Sequence, residues 1–194
     1  MVMSHADTYL YEAAQIVGKL DTHQIDAMAE ELAALRDRGG RLFLVGLGGS
    51  AANCSHAAND FRKLASLQAI ALCDNVAELT ARANDEGWDS VYADMLAASY
   101  VSCADALFVL SVGGGADGVS LPIIGAIHKA REEGMFIYGI VGRNGGATKE
   151  YGDCVIVVPT VNDERVTPHT EAMQSVILHC LLSHHKVQQR KTKW

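Results

Sequence analysis

The chain has 194 residues, 49% of them hydrophobic, and a formal net charge of −7. That length and apolar content can bury a substantial core within the size range of one domain, and the acidic balance removes any general attraction to nucleic acid or an anionic membrane. The one basic cluster, Arg190, Lys191 and Lys193, reads as a solvated tail. Five scattered cysteines without a CxxC pair suggest neither a disulfide framework nor a thiolate metal site and fit a reducing cytoplasm. The N-terminus lacks a basic region followed by an apolar core, and no apolar run reaches about 18 residues, so a cytoplasmic protein without a membrane segment is expected.

In chain order, residues 5–38 come first. Leu10, Ala13, Val17, Leu20, Ile25, Met28, Leu32 and Leu35 recur at helical spacing and predict one or two amphipathic helices, with Asp21 as a cap between them. Their apolar faces need either the sheet or another subunit to cover them. Gly39-Gly40 stops this segment.

The stretch Arg41–Asp60 follows, and the rest of the chain is organised around it. Leu42-Phe43-Leu44-Val45 is too short for a helix and suits a strand buried on both faces. Gly46, Gly48 and Gly49 then allow a turn in which the backbone approaches a ligand closely, and Ser50 stands where a helix N-cap is expected. An anion can dock at such a helix start, because its first N–H groups lack partners. The loop is neither a Walker A motif nor a GxGxxG dinucleotide fingerprint. On the helix that follows, His56 and Asp60 lie four residues apart on one face.

Residues 69–73 predict a second strand and 76–101 a mostly helical region interrupted near Asn84–Gly87. Ala106–Leu110 is a third buried strand. It runs into Ser111, Val112, Gly113, Gly114 and Gly115, with Ser120 at the mouth of a helix over 121–133, so strand, glycine-rich turn and helix repeat the first design. Residues 136–141 form a fourth strand closed by GRNGG, 154–158 a fifth, and about 169–186 a last helix carrying Glu171 and His179. Strands alternating with helices predict a three-layer α/β/α sandwich with a five-stranded parallel sheet, with both glycine loops at the carboxyl ends of strands, where ligands collect in such folds. Ser50, Ser111 and Ser120, with the amides of Gly48, Gly49 and Gly113–Gly115, are therefore expected to line one anion pocket. Glu171 and His179 by themselves carry little weight: eight residues apart, they project roughly 80° from each other on an ideal helix.

GLGGSAANCSHAAND, followed by SVGGG, VGRNGG and TEAMQSVILH, resembles the sugar isomerase (SIS) domain family, and within it the bacterial phosphoheptose isomerases, over nearly the whole chain. The resemblance implies a single SIS domain over 1–194, with 1–38 as a helical segment that packs a homotetramer. It implies one zinc per subunit held by His56, Asp60, Glu171 and His179, with Asp60 and His179 also transferring protons and Glu171 facing the substrate. The activity implied is isomerisation of sedoheptulose 7-phosphate to a D-glycero-D-manno-heptose 7-phosphate through an enediol. The chain departs from the family in places: the family usually has Asn at Leu47, Glu at Asp60 and Gln at Glu171. Its second loop is usually Ser/Thr-rich, whereas Val112 and three glycines stand here. Isomerisation of another phosphosugar, or a non-catalytic role in binding a phosphosugar or a replication initiator, uses the same scaffold.

Overall fold

The computed structural model describes residues 3–116 and 118–192. Two layers of helix enclose a five-stranded sheet whose pairings are all parallel. In chain order the elements are α1 (His5–Lys19), α2 (Thr22–Asp37), β1 (Arg41–Val45), α3 (Gly49–Leu64), β2 (Gln68–Ala71), α4 (Val76–Asp85) and α5 (Val91–Ala98). They continue with β3 (Ala106–Ser111), α6 (Leu121–Glu132), β4 (Phe136–Val141), α7 (Gly146–Tyr151), β5 (Cys154–Val157) and α8 (Val166–Ser183). The strand order is β2-β1-β3-β4-β5.

Alternation along the central strands sorts the core into two layers. Leu42 and Leu44 of β1 and Phe108 and Leu110 of β3 face α2, α3 and α8, while Phe43, Val45, Leu107 and Val109 face α5 and α6. All eight side chains are fully buried, which is why these strands read as continuous apolar runs.

The two N-terminal helices are locally specified. Ser4 and Asp7 form a reciprocal capping box at α1, and Asp21 accepts from the His23 and Gln24 amides at α2. Helix α1 buries Ile16 but leaves Leu10 66%, Tyr11 58% and Val17 52% exposed.

Several boundaries differ from the sequence expectation. Ser50 is not the N-cap: Gly48, at φ 59°, holds that position and Ser50 lies in the first turn of α3. The turn is tight, since a Cβ on Gly46 would meet the Ser50 carbonyl. The second strand ends at Ala71, and Leu72–Asp74 form a 3-10 turn. Helix α8 starts at Val166 and ends at Ser183; Pro168 sits in its first turn, where the missing N–H removes no helical bond. Helix α7 was not expected at all. It is held by tertiary bonds, the Thr148 amide and hydroxyl both donating to Gly114 O and the Ala147 amide to Gly115 O.

Candidate functional site

Helices α3 and α8 pack side by side and run in the same direction, Gly49 lying near Glu171, Asn53 near Gln174 and Ser175, and Asp60 near His179. A polar clamp fixes their register. The Asn53 amide donates to Gln174 Oε1 at 2.9 Å and to the Glu171 carbonyl at 3.0 Å, while Ser175 Oγ donates to Asn53 Oδ1 at 3.0 Å. Gln174 is fully buried, so these bonds are made away from water, where leaving them unmade is costly.

One turn beyond the clamp, both helices present chemistry. His56 Nε2 is 3.2 Å and His179 Nε2 3.9 Å from Asp60 Oδ2. The two imidazoles meet edge to face, with centroids 5.2 Å apart. One donor atom from each of His56, Asp60 and His179 falls within 4.8 Å of the others. The Asp60 side chain is only 7% exposed, whereas His56 and His179 are 55% and 58% exposed. Asp60 Oδ1 accepts from the Asn59 amide at 2.9 Å, which orients the carboxylate and leaves Oδ2 toward the two rings.

Glu171 does not join this group within one chain. Eight residues of helix separate it from His179, about 12 Å along the axis. Because α3 runs parallel to α8, Glu171 lies at the opposite end of the pair, against Gly49; a Cβ there would collide with its carboxylate. The charge sits at the N-terminal end of α3, where unpaired N–H groups favour an anion.

Beyond the carboxyl ends of the strands is a cleft of about 470 Å³. Ser50, Ser111 and Ser120 line it together, with Leu47 and Gly113. Gly48, Gly49, Gly114 and Gly115 are not among its lining residues, and the Gly114 amide is taken by Ser111 Oγ at 3.0 Å. Ser111 keeps its own hydroxyl proton to donate. Ser120 holds a left-handed conformation at φ 60° and makes no capping bond to α6, so its hydroxyl is uncommitted to the helix. Among the lining residues that the expected pocket did not include, two are polar, Arg143 and Thr167. Arg143 lies in the loop after β4 at φ 50°; a lone cation inside a glycine-rich loop at the end of a strand was the available signal.

Asp60 and His179 line a different cavity, of about 550 Å³, so within one chain the serine cleft and the His/Asp group are separate. The cysteines do not contribute to either. Burial pushes the Cys54 thiol well up and the Cys154 thiol up to about 11, which disfavours the thiolate needed for ligation or attack.

Among known proteins, the family described as the SIS domain matches residues 8–142, more than half of the chain. The phosphoheptose isomerase of Pelodictyon phaeoclathratiforme is 36% identical over 162 residues, covering 79% of this chain and 74% of the relative. That of Chlorobium phaeovibrioides is 35% identical over 182 residues, covering 89% and 83%. The structure of a phosphoheptose isomerase from Francisella tularensis superposes with a TM-score of 0.79 at 25% identity, covering 93% of this chain and 97% of that one. No helix among the described residues is long and apolar enough to cross a membrane. The chain is thus an enzyme of the SIS domain family, belonging to the branch of the phosphoheptose isomerases.

Proposed function

We propose that this enzyme interconverts sedoheptulose 7-phosphate and a D-glycero-D-manno-heptose 7-phosphate in the cytoplasm, as a homotetramer with one zinc per subunit. The observation that carries the reading is the convergence of His56, Asp60 and His179 from two clamped helices. Two imidazole nitrogens and a carboxylate oxygen are a donor set suited to zinc, and bound zinc would supply Lewis acidity at the sugar's oxygens.

The separation of cleft and His/Asp group argues for a site shared between subunits. One subunit contributes the serine cleft, which takes the phosphate, together with Glu171 as a fourth zinc ligand; a neighbour contributes His56, Asp60 and His179. The exposed Leu10, Tyr11 and Val17 of α1 support the assembly this requires, with residues 1–38 packing between copies of a single SIS unit spanning the chain.

In the ketose-to-aldose direction, Asp60 removes a proton from C1 while His179 protonates the carbonyl oxygen at C2, leaving a 1,2-enediol. The proton then returns from Asp60 to C2, and the C1 hydroxyl gives its proton back to His179. The net change moves one hydrogen from C1 to C2 and one from O1 to O2. Phosphate held by Ser50, Ser111, Ser120, the Gly113 amide and Arg143 fixes the far end of the substrate, so that binding energy positions the reacting carbons.

The test is incubation of the zinc-loaded protein with sedoheptulose 7-phosphate, following the aldose product by NMR. Absence of product from wild type, or wild-type turnover by His179→Ala, overturns the proposal.

A further inference from the structure

After α8 ends at Ser183, residues 184–192 are not a loose tail. Arg36 Nη1 donates to the carbonyls of Lys186 and Val187, both at 3.1 Å, and Lys186 pairs with Glu30 of α2. Val187 is buried, 1% exposed, in the core layer under α2 and α3. The amides of Gln189 and Arg190 then donate to the Leu64 carbonyl at 2.8 and 3.0 Å. Leu64 is the last residue of α3, so its carbonyl has no partner inside the helix and the segment supplies one.

Pinned on both sides, Gln188 is held against the cavity that contains Asp60 and His179, with Leu64 and Leu182 as apolar walls. Its side-chain amide has no hydrogen-bond partner among the described residues. We infer that this C-terminal strap is a wall of the reaction chamber and that Gln188 is a substrate-contacting residue, hydrogen-bonding an oxygen of the sugar near C1–C3. A primary amide both donates and accepts, matching a hydroxyl that does the same. Because Val187 and Gln189 fix the backbone on either side, little freedom is lost when the amide engages a ligand. The inference deepens the isomerase reading and rests on it.

The test compares wild type with Gln188→Ala and Gln188→Met; the methionine keeps the length of the side chain and removes the amide. Both variants are expected to raise KM for sedoheptulose 7-phosphate about tenfold, as for one lost hydrogen bond, with kcat within about twofold, and with zinc content and thermal midpoint unchanged. Arg190→Ala, on the solvent side of the strap, is expected to leave KM unaltered. An active wild type whose KM survives Gln188→Met overturns the inference alone. A wild type inactive on every heptose phosphate overturns the underlying reading and the inference with it.

Discussion

Ser175 Oγ donates to Asn53 Oδ1 at 3.0 Å, joining α8 to α3 one turn before His179 and His56 respectively. Through Asn53 the same contact reaches the buried Gln174, whose own amide donates to the Ile140 carbonyl of β4 at 3.4 Å. The clamp therefore ties the relative height of the two ligand-bearing helices to the sheet. Asn53→Ala is expected to cost about 1–3 kcal/mol of stability, since Gln174 Oε1 loses its donor in the core. Zinc affinity should fall about tenfold in the same variant, because His179 can then slide relative to Asp60. Ser175→Ala should lower zinc affinity less and stability by under about 1 kcal/mol. Chelator competition and thermal melts measure both quantities; a destabilised Asn53→Ala with wild-type zinc affinity would reduce the clamp to packing.

The serine cleft predicts two substitutions of opposite sign. Arg143→Ala removes the one cation among the lining residues and should weaken binding of inorganic phosphate about tenfold. Glu171→Gln removes a negative charge that lies against Gly49, next to Ser50 of the cleft. Relief of that repulsion in a largely solvated site amounts to about 1 kcal/mol, so phosphate should bind several-fold more tightly. Calorimetric titration at fixed ionic strength decides both, and a weaker phosphate affinity in Glu171→Gln would mean that the carboxyl contacts the ligand through a shared proton or cation instead of opposing it.

How much of this was legible depended on whether a residue's role is local. The runs Leu42–Val45 and Ala106–Leu110 announce themselves because both faces of a central parallel strand are buried, and His56 and Asp60 share a face whatever the tertiary fold. Helix α7 was illegible because its six residues are held by bonds to Gly114 and Gly115, some thirty positions earlier in the chain. The position of Glu171 was illegible for a similar reason. Its spacing from His179 gives a rise and an angle on α8, but only the parallel packing of α8 on α3 shows that the two residues face opposite ends of that helix. The Gln188 strap gave no signal beyond a basic tail, since its docking is by backbone amides and one valine.

Glu12 predicts a pH dependence of folding. Its carboxylate on α1 accepts from Arg165 Nε and Nη2 at 2.8 and 2.7 Å, from Asn162 at 2.8 Å, and lies 2.9 Å from His169 Nε2, whose ring stacks on Tyr9. The bidentate Arg165 pair above all, then Asn162 and His169, hold the Glu12 carboxyl well below the usual carboxylate range. A carboxyl whose pKa is depressed on folding contributes stability at pH above its unfolded value, and that contribution is lost as pH falls toward the folded value. Wild type should thus lose thermal stability progressively below about pH 4.3, while Glu12→Gln, already less stable at pH 7, should show a shallower slope there. Parallel slopes in thermal melts from pH 6 to pH 3 would mean that Glu12 pairs equally well in the unfolded chain.

A site shared between subunits makes the sharpest demand on the assembly. If Glu171 and the serine cleft serve the His/Asp group of a neighbour, then Glu171→Ala and His179→Ala damage different halves of the same site. Each variant alone should be strongly impaired. Mixed at equal amounts, unfolded and refolded together, they form hybrid oligomers in which about a quarter of the sites take an intact Glu171 from one chain and an intact His179 from another, so activity should return to roughly that fraction of wild type. A site complete within one chain gives no such recovery, because every chain then carries one defect. Size-exclusion chromatography with light scattering on the same mixtures checks that tetramers form. Replacement of Leu10 and Val17, the exposed apolar residues of α1, by glutamate should break the assembly and abolish recovery together. Activity in a monomeric Leu10→Glu, Val17→Glu protein would confine the chemistry to a single chain.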